Sequence, residues 1–241
     1  MADFEGLLRL RERPPGPCLM YQSWRELTFL HYPCDPAIIQ ALLPPGLRVE
    51  TYPDADGVER AWVGFVPFRM EGIRFRGFPA VPGLSAFPET NVRTYVTAEG
   101  SDPGVWFFSL DAQNILACRF ARRFYGLPYH YARMSVSDLA YVSHRGSQAH
   151  HDVRVRLTGE LRQAEVGTFE FWLLERYLLY SYRNGSLWRG RVGHTPYTFQ
   201  NCVAEVDQRG YLEGVAVPDG FVSQLHSPGV DVEVFAIERV K

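Results

Sequence analysis

The pattern of apolar and polar positions along the chain predicts many short strands. Alternating or aromatic-rich runs, typical of strands, cover residues 24–32, 47–52, 61–70, 89–97, 105–110, 132–142, 152–157, 187–192, 202–206 and 231–240. The run over residues 169–182 is expected to begin as a helical turn and continue as a strand. Because 17 prolines and 21 glycines separate these segments, we expect an α+β protein that is mostly antiparallel β.

Two stretches carry hairpin signals. In 89–97 the side chains alternate, with Asn91, Arg93 and Tyr95 on one face, and the turn G-S-D-P-G then leads into 105–110. In the second half, Asn184 and Gly185 separate two strand-like runs. Both arrangements predict antiparallel hairpins. The segment 72–88, rich in glycine, proline and phenylalanine, is long enough to be a lid or a packed surface loop.

Helix signals are few. Asp35 and Pro36 precede A-I-I-Q-A-L-L and match an N-cap and a first helical position. A second, amphipathic helix is predicted after Asp111, closed by Gly126. Its apolar positions recur every fourth residue and its arginines lie opposite: Leu116, Phe120 and Phe124 against Arg119, Arg122 and Arg123. We expect the apolar side to be buried and the arginine side exposed.

Length and composition limit the classes of protein. The 241 residues show no linker-like change in composition, so we expect one domain, 1–241, in which 1–17 form an N-terminal arm with one short helix. A net charge of −2 without a basic run argues against nucleic acid as a partner. No apolar run reaches about 20 residues, which argues against a membrane, so a cytoplasmic location is expected. The chain is compatible with a homo-oligomer.

Metal and cofactor chemistry find little support in the residues. The four cysteines form no C-x-x-C pair, and His150, His151 and Asp152 are adjacent in a strand, where neighbours point to opposite faces. No phosphate loop, dinucleotide fingerprint or nucleophile elbow occurs. The chain has one lysine, the terminal Lys241, where nothing would desolvate the amine and lower its pKa, so we do not expect Schiff-base chemistry on lysine. We therefore expect no metal and no cofactor.

Candidate site residues follow the second helix and lie on the first hairpin. Tyr129 and His130 come directly after its proline stop, where side chains often line a pocket, and His130 can act as acid, base or structural hydrogen-bond donor. Glu89 and Arg93 share one strand face, either as an anion site or as a structural ion pair. Further polar candidates are Arg176, in E-R-Y, and His194, in G-H-T-P-Y.

Seven short motifs resemble one uncharacterised bacterial family, the YqjF-like proteins. They are L-L-P-P-G-L, V-P-F-R-M, P-E-T-N-V-R-T-Y-V, G-V-W-F-F-S-L-D-A, Y-G-L-P-Y, L-E-R-Y-L-L-Y and G-H-T-P-Y. The resemblance covers the chain from about Trp24 to its last strands. It implies no established activity.

More distantly, the order of elements is similar to that of acetoacetate decarboxylase. That resemblance implies a β cone or barrel with a few flanking helices. In that enzyme two lysines follow the proline, and the first forms a Schiff base; here Tyr129 and His130 stand there. The comparison also implies that Glu89 matches a site glutamate and Arg25 a substrate-binding arginine, whereas a second glutamate is replaced by Gly64.

The hypothesis that follows is a small-molecule pocket without a reactive amine. It would bind a small anionic or oxygenated organic ligand through Arg25, Arg93, Arg176 and His194, with His130, Glu89 and Tyr129 as the residues for non-covalent acid–base chemistry. The alternative is a ligand-binding or interaction protein without catalysis, in which Tyr129 and His130 fill the space of the lysines. The sequence leaves open whether the chain is an enzyme.

Overall fold

The computed structural model describes residues 3–98, 100–211 and 221–240. Within these ranges the helices are α1 (Phe4–Arg11), α2 (Pro36–Ala41), α3 (Ile115–Phe124) and α4 (Phe169–Leu174). The strands are β1 (Met20–Cys34), β2 (Leu47–Val49), β3 (Tyr52–Pro53), β4 (Glu59–Phe75), β5 (Phe87–Ala98), β6 (Ser101–Ala112), β7 (Tyr129–Tyr131), β8 (Arg133–Ser137), β9 (Ala140–Arg145), β10 (Ala149–Gln163), β11 (Leu178–Arg183), β12 (Ser186–His194), β13 (Thr198–Arg209), β14 (Ser223–Val234) and β15 (Glu238–Arg239).

Seven strands form a closed ring, each hydrogen bonded to the next. The order is β12, β11, β6, β5, β4, β1 and β14, and the pairing of Val192 with Val234 returns β14 to β12. Neighbours in the ring are antiparallel except β11 and β6, which run parallel. The mostly antiparallel α+β class expected from the sequence is confirmed.

A second layer covers part of the outside of the ring. From β14 the sheet continues through β13, β10, β9 and β8. Tyr141 on β9 and Val153 on β10 join a buried cluster with Phe65 and Val92 of the ring strands. As a result, every residue of β5 except Pro88 is buried, although its side chains alternate between the two faces. Both faces of this strand are therefore available for buried polar groups.

Several elements predicted from local signals in the sequence are present in the structure. Asp35 caps α2 by accepting from the Ala37 amide at 2.7 Å. The strands β5 and β6 pair as a hairpin, and so do β11 and β12, where Asn184 and Gly185 both have positive φ. Two consecutive left-handed residues are the geometry that Asn-Gly favours in a hairpin. The arm also holds its short helix, α1.

Two predictions, one for α3 and one for the segment 132–142, are wrong. The apolar side of α3 is not buried, because the helix lies across the rim of the ring and buries Cys118 instead; Leu116 and Phe124 are 54% and 53% exposed. The single strand expected over 132–142 is two strands, β8 and β9. Asp138 and Leu139 have φ of 49° and 60°, so the chain reverses there into a hairpin.

Other strand boundaries also differ from the sequence pattern. The run 47–52 divides, because β2 pairs with β5 whereas β3 pairs with β4. The run 231–240 divides between β14 and β15, and β10 is longer than predicted. None of the four helices in the described ranges has the length and hydropathy that a membrane crossing requires.

Candidate functional site

The interior of the ring contains a cavity of about 610 Å³. All seven ring strands contribute lining residues, and most of these are aliphatic or aromatic. At one end the lining includes Leu174 and Arg176, which are buried; at the other it includes α3 and the segment 76–86, whose lining side chains Leu116, Phe78 and Val81 are exposed. The cavity is therefore closed near α4 and open between α3 and the segment 76–86.

Glu89 and Tyr129 both line the cavity and are hydrogen bonded to each other. Glu89 lies on β5, and Tyr129 follows Pro128 on β7, which runs beside β6. The Tyr129 hydroxyl lies 3.2 and 3.1 Å from the two Glu89 carboxyl oxygens. Burial raises the pKa of Glu89 to about 8, although the hydrogen bond from Tyr129 opposes this shift. Glu89 is thus a protonated, neutral acid at neutral pH.

Burial also raises the pKa of Tyr129 well above its ordinary value, and the neighbouring Glu89 adds to this shift. Tyr129 is therefore a neutral hydroxyl that donates a hydrogen bond, not a phenolate nucleophile. Together the pair can exchange a proton with a ligand oxygen that reaches Glu89.

Arg93 is a buried cation without an acidic partner among the described residues. It lies on the same face of β5 as Glu89 and lines the cavity, and its side chain is held over the rings of Phe29 and Tyr95, at 5.6 and 5.8 Å. Its Nε and Nη2 atoms are buried and donate to no acceptor in the described structure. Such a group is a ready site for an oxygen anion, since a guanidinium remains charged in proteins.

Gly64 makes room for the His31 ring and lies beside Arg93. The two residues pair across β4 and β5, and a Cβ at position 64 would lie 3.5 Å from the Arg93 Cγ and 3.3 Å from the ring of His31. His31 in turn lies 2.7 Å from the Tyr95 hydroxyl through its Nε2. The space beside position 64, where the decarboxylase comparison implies a missing glutamate, is therefore occupied by parts of Arg93 and His31.

Arg176 lines the same cavity but already has a partner. Its guanidinium pairs with Glu50, donates to the Trp172 carbonyl at 2.8 Å and stacks on Tyr95 at 4.8 Å. Burial raises the pKa of Glu50, and Arg176 opposes that shift. The charge of Arg176 is thus matched within the protein, in contrast to that of Arg93.

His130 lies outside the cavity lining. It is adjacent to Tyr129 in a strand, so its side chain points to the other face. Burial lowers its pKa, and Arg145 contributes to this shift while Asp111 opposes it. The structure therefore brings Tyr129, but not His130, together with Glu89.

Arg25 and His194 are also absent from the lining residues. Arg25 pairs with Asp231, which is exposed, and donates to the Val230 carbonyl at 2.9 Å. His194 contacts the Thr195 carbonyl through Nδ1 at 2.7 Å, and its ring stacks on Tyr177. Burial lowers the pKa of His194 to about 4, so it is neutral at neutral pH.

A buried polar cluster on the outer face of the ring was not predicted. Asp111 is fully buried, pairs with Arg145 and accepts from the Tyr211 hydroxyl at 2.7 Å. On the same face the Thr90 hydroxyl lies 2.9 Å from His151 Nε2. These partners are 34 to 100 residues apart in the chain, so no local pattern indicates them.

The described residues contain no group of three or more His, Cys, Asp or Glu suited to a metal ion.

Asn91 is a cavity residue of β5 that the sequence pattern places on the correct face without assigning it to the site. It lies between Glu89 and Arg93 on the inner side of the strand, and its Oδ1 atom is buried without a donor in the described structure. Alternation along the strand was the signal that could have identified it.

Comparison with known proteins gives a family and a fold. The family DUF2071, described as an uncharacterized conserved protein, matches residues 21–231. The uncharacterized protein YqjF of Bacillus subtilis (strain 168) is 37% identical over 214 residues, which are 86% of each chain. The expected resemblance to YqjF-like proteins is confirmed, and the chain belongs to the DUF2071 family.

Solved structures with a similar fold are acetoacetate decarboxylase-like. Acetoacetate decarboxylase from Legionella pneumophila superposes with a TM-score of 0.66 at 15% identity, covering 98% of this chain and 96% of that one. The enduracididine biosynthesis enzyme MppR complexed with pyruvate gives a TM-score of 0.60 at 14% identity, covering 95% and 93%. The acetoacetate decarboxylase-like fold expected from the sequence is confirmed.

Proposed function

We propose that this member of the DUF2071 family binds a small organic carboxylate inside its seven-stranded ring and exchanges protons with it through Glu89, without a covalent intermediate. The observation that carries the proposal is the combination of a buried, unpaired Arg93 with a protonated Glu89 on one face of β5. The first supplies an anion contact and the second a proton.

Two features of the chain support non-covalent chemistry. The first residue after Pro128 is Tyr129, a neutral hydroxyl, and the single lysine of the sequence is Lys241. An amine nucleophile is therefore not available among the lining residues of the cavity. MppR, which shares the fold, is complexed with pyruvate, so this architecture accommodates a small carboxylate in at least one relative.

Enolisation of an oxo acid is the reaction class that suits these groups. Arg93 lies four residues from Glu89 along β5, or about 13 Å at roughly 3.3 Å per residue. The acid must therefore carry its carbonyl several carbons from the carboxylate that Arg93 would hold through its free N–H groups. Glu89 would donate its proton to the carbonyl oxygen, and the resulting carboxylate, hydrogen bonded by Tyr129, would accept a proton from the neighbouring carbon. A pKa near 8 is well suited to a group that changes protonation state at neutral pH.

Ligand binding without catalysis is a second candidate function, favoured by one specific observation. Glu89 and Tyr129 already satisfy each other through a hydrogen bond, which a purely structural pair would also do. In that case Glu89 would have no catalytic role, and Arg93 would be the charged contact for the ligand.

Deuterium exchange distinguishes the two. Oxo acids whose carbonyl lies two to eight carbons from the carboxylate are incubated with the protein in D2O, exchange next to the carbonyl is followed by NMR, and binding is measured by calorimetry. We expect Glu89→Gln to abolish exchange while the acid still binds. Arg93→Gln should weaken binding at least tenfold, as expected for loss of a charged hydrogen-bonded contact. The matched control is Arg119→Gln, at an exposed arginine of α3.

The results separate the residues as well as the functions. His130→Gln should leave both readouts unchanged, because His130 does not line the cavity. Binding that depends on Arg93 without any exchange would establish the non-catalytic function. Exchange that survives in Glu89→Gln, or binding that survives in Arg93→Gln, would refute the proposed roles.

A further inference from the structure

We infer that the natural ligand is a carboxylic acid with a long apolar tail, and that the tail leaves the ring between α3 and the segment 76–86. This inference rests on the proposed function, because it takes Arg93 as the carboxylate contact. It adds the class of ligand and the residues that select tail length.

Three polar residues of the cavity follow a single strand, β5. Glu89, Asn91 and Arg93 alternate along the inner face of β5, and Arg93 is nearest to the closed end, beside Arg176. From Arg93 to Phe87, at the start of the strand, the chain advances about 20 Å at roughly 3.3 Å per residue. An acid bound at Arg93 therefore has a long path to the opening.

Most of the other side chains along this path are apolar. Phe68 and Met70 on β4 and Phe107 and Leu110 on β6 line it from the two strands that flank β5. A ligand with polar groups along its length would leave them unpaired against these side chains, at a cost in affinity. A hydrocarbon or aryl chain would instead gain from each buried methylene.

Arg74, Ser85 and Asn114 also line this end of the cavity, but most side chains at the opening are apolar. Leu116 and Phe120 of α3 line the cavity on one side, and Phe78, Val81 and Leu84 line it on the other. Asn114 connects the two sides by donating to the Leu84 carbonyl at 2.9 Å.

An amphipathic helix ordinarily buries its apolar side against the protein. In α3 this side borders the cavity entrance, where Leu116 remains 54% exposed. A tail that emerges from the ring would cover it. Phe124, on the same helix and 53% exposed, does not line the cavity and is therefore a matched comparison.

Calorimetric titration of the full-length chain with butyrate, octanoate and dodecanoate tests the inference, with 1-octanol as the uncharged probe. We expect affinity to increase roughly fourfold for each added methylene from butyrate to octanoate. Arg93→Gln should weaken all three acids and leave 1-octanol unchanged. Leu116→Asn should weaken dodecanoate several-fold and leave butyrate unchanged, whereas Phe124→Asn should affect neither.

Each failure has a separate meaning. Acids that bind through Arg93 with equal affinity at every length would refute the tail and leave the proposed function standing. Acids that do not depend on Arg93 would refute the proposed function. Equal losses in Leu116→Asn and Phe124→Asn would place the tail on the outside of α3 and refute the exit path. Phe78→Asn, on the other side of the opening, repeats the test if Leu116→Asn does not fold.

Discussion

Replacement of Glu89 by glutamine should make the protein more stable, and the gain should grow with pH. The folded pKa of Glu89 is about 8, against an ordinary value of 4.5. Between these values the folded chain holds a proton on Glu89 that the unfolded chain has released. The free energy of unfolding therefore falls by about 1.4 kcal/mol for each pH unit of increase across this window.

The sign follows from a raised carboxyl pKa. The stabilising contribution of the protonated group is complete below pH 4.5 and is lost as the pH rises through about 8. The window of 3.5 units corresponds to at most about 5 kcal/mol. Glutamine has nearly the shape of the neutral acid, keeps an acceptor for Tyr129 and does not ionise. The difference between Glu89→Gln and wild type should thus be small at pH 5 and largest at pH 8 and above.

Urea unfolding followed by tryptophan fluorescence at pH 5, 6, 7, 8 and 9 measures this difference. Glu160→Gln, at an exposed glutamate of β10, is the matched control and should show no such trend. A stability difference for Glu89→Gln that does not change with pH would mean that Glu89 is not held protonated. A difference of the opposite slope would mean that Glu89 is a stabilised carboxylate, and would refute its role as an acid.

Two further substitutions probe how the site is supported. Asn114→Ala should lower the free energy of unfolding by about 1 kcal/mol, because it removes the N-cap of α3, and urea unfolding measures the loss; hydrogen exchange should also accelerate near Leu84, whose carbonyl accepts from Asn114. Unchanged exchange there would contradict the proposed connection across the opening. Gly64→Ala should cost about 1 kcal/mol, because a Cβ there would lie 3.3 Å from the His31 ring and overpack it, and it should weaken carboxylate binding by disturbing the packing of Arg93 beside it. Normal stability with normal binding would show that this close packing does not position Arg93.

Much of the fold could be predicted because its signals are local. The N-cap at Asp35, the turn at Asn184 and the alternation of β5 depend on the conformation of a few consecutive residues. They were therefore predicted correctly from the sequence. The same alternation predicted that Glu89 and Arg93 share one face of the strand, and both line the cavity. The helix stop at Gly126 and Pro128 predicted the position of Tyr129.

Only the tertiary structure decided which side of each element meets the cavity. Tyr129 and His130 are adjacent, and both faces of the neighbouring strands are buried, so hydrophobicity alone does not distinguish the inner face from the outer one. The amphipathic pattern of α3 predicted a buried side, whereas the position of the helix at the rim left that side at an opening.

The difference in pairing between Arg93 and Arg176 could not be predicted from the sequence either. Arg176 is neutralised by Glu50, which lies 126 residues away in the chain, and Arg93 is not neutralised by any acid among the described residues. Local sequence determined the strands and the identity of the charged residues. Long-range pairing around the ring determined which charge remained free for a ligand, because an ion pair depends on distance in space and not on separation along the chain.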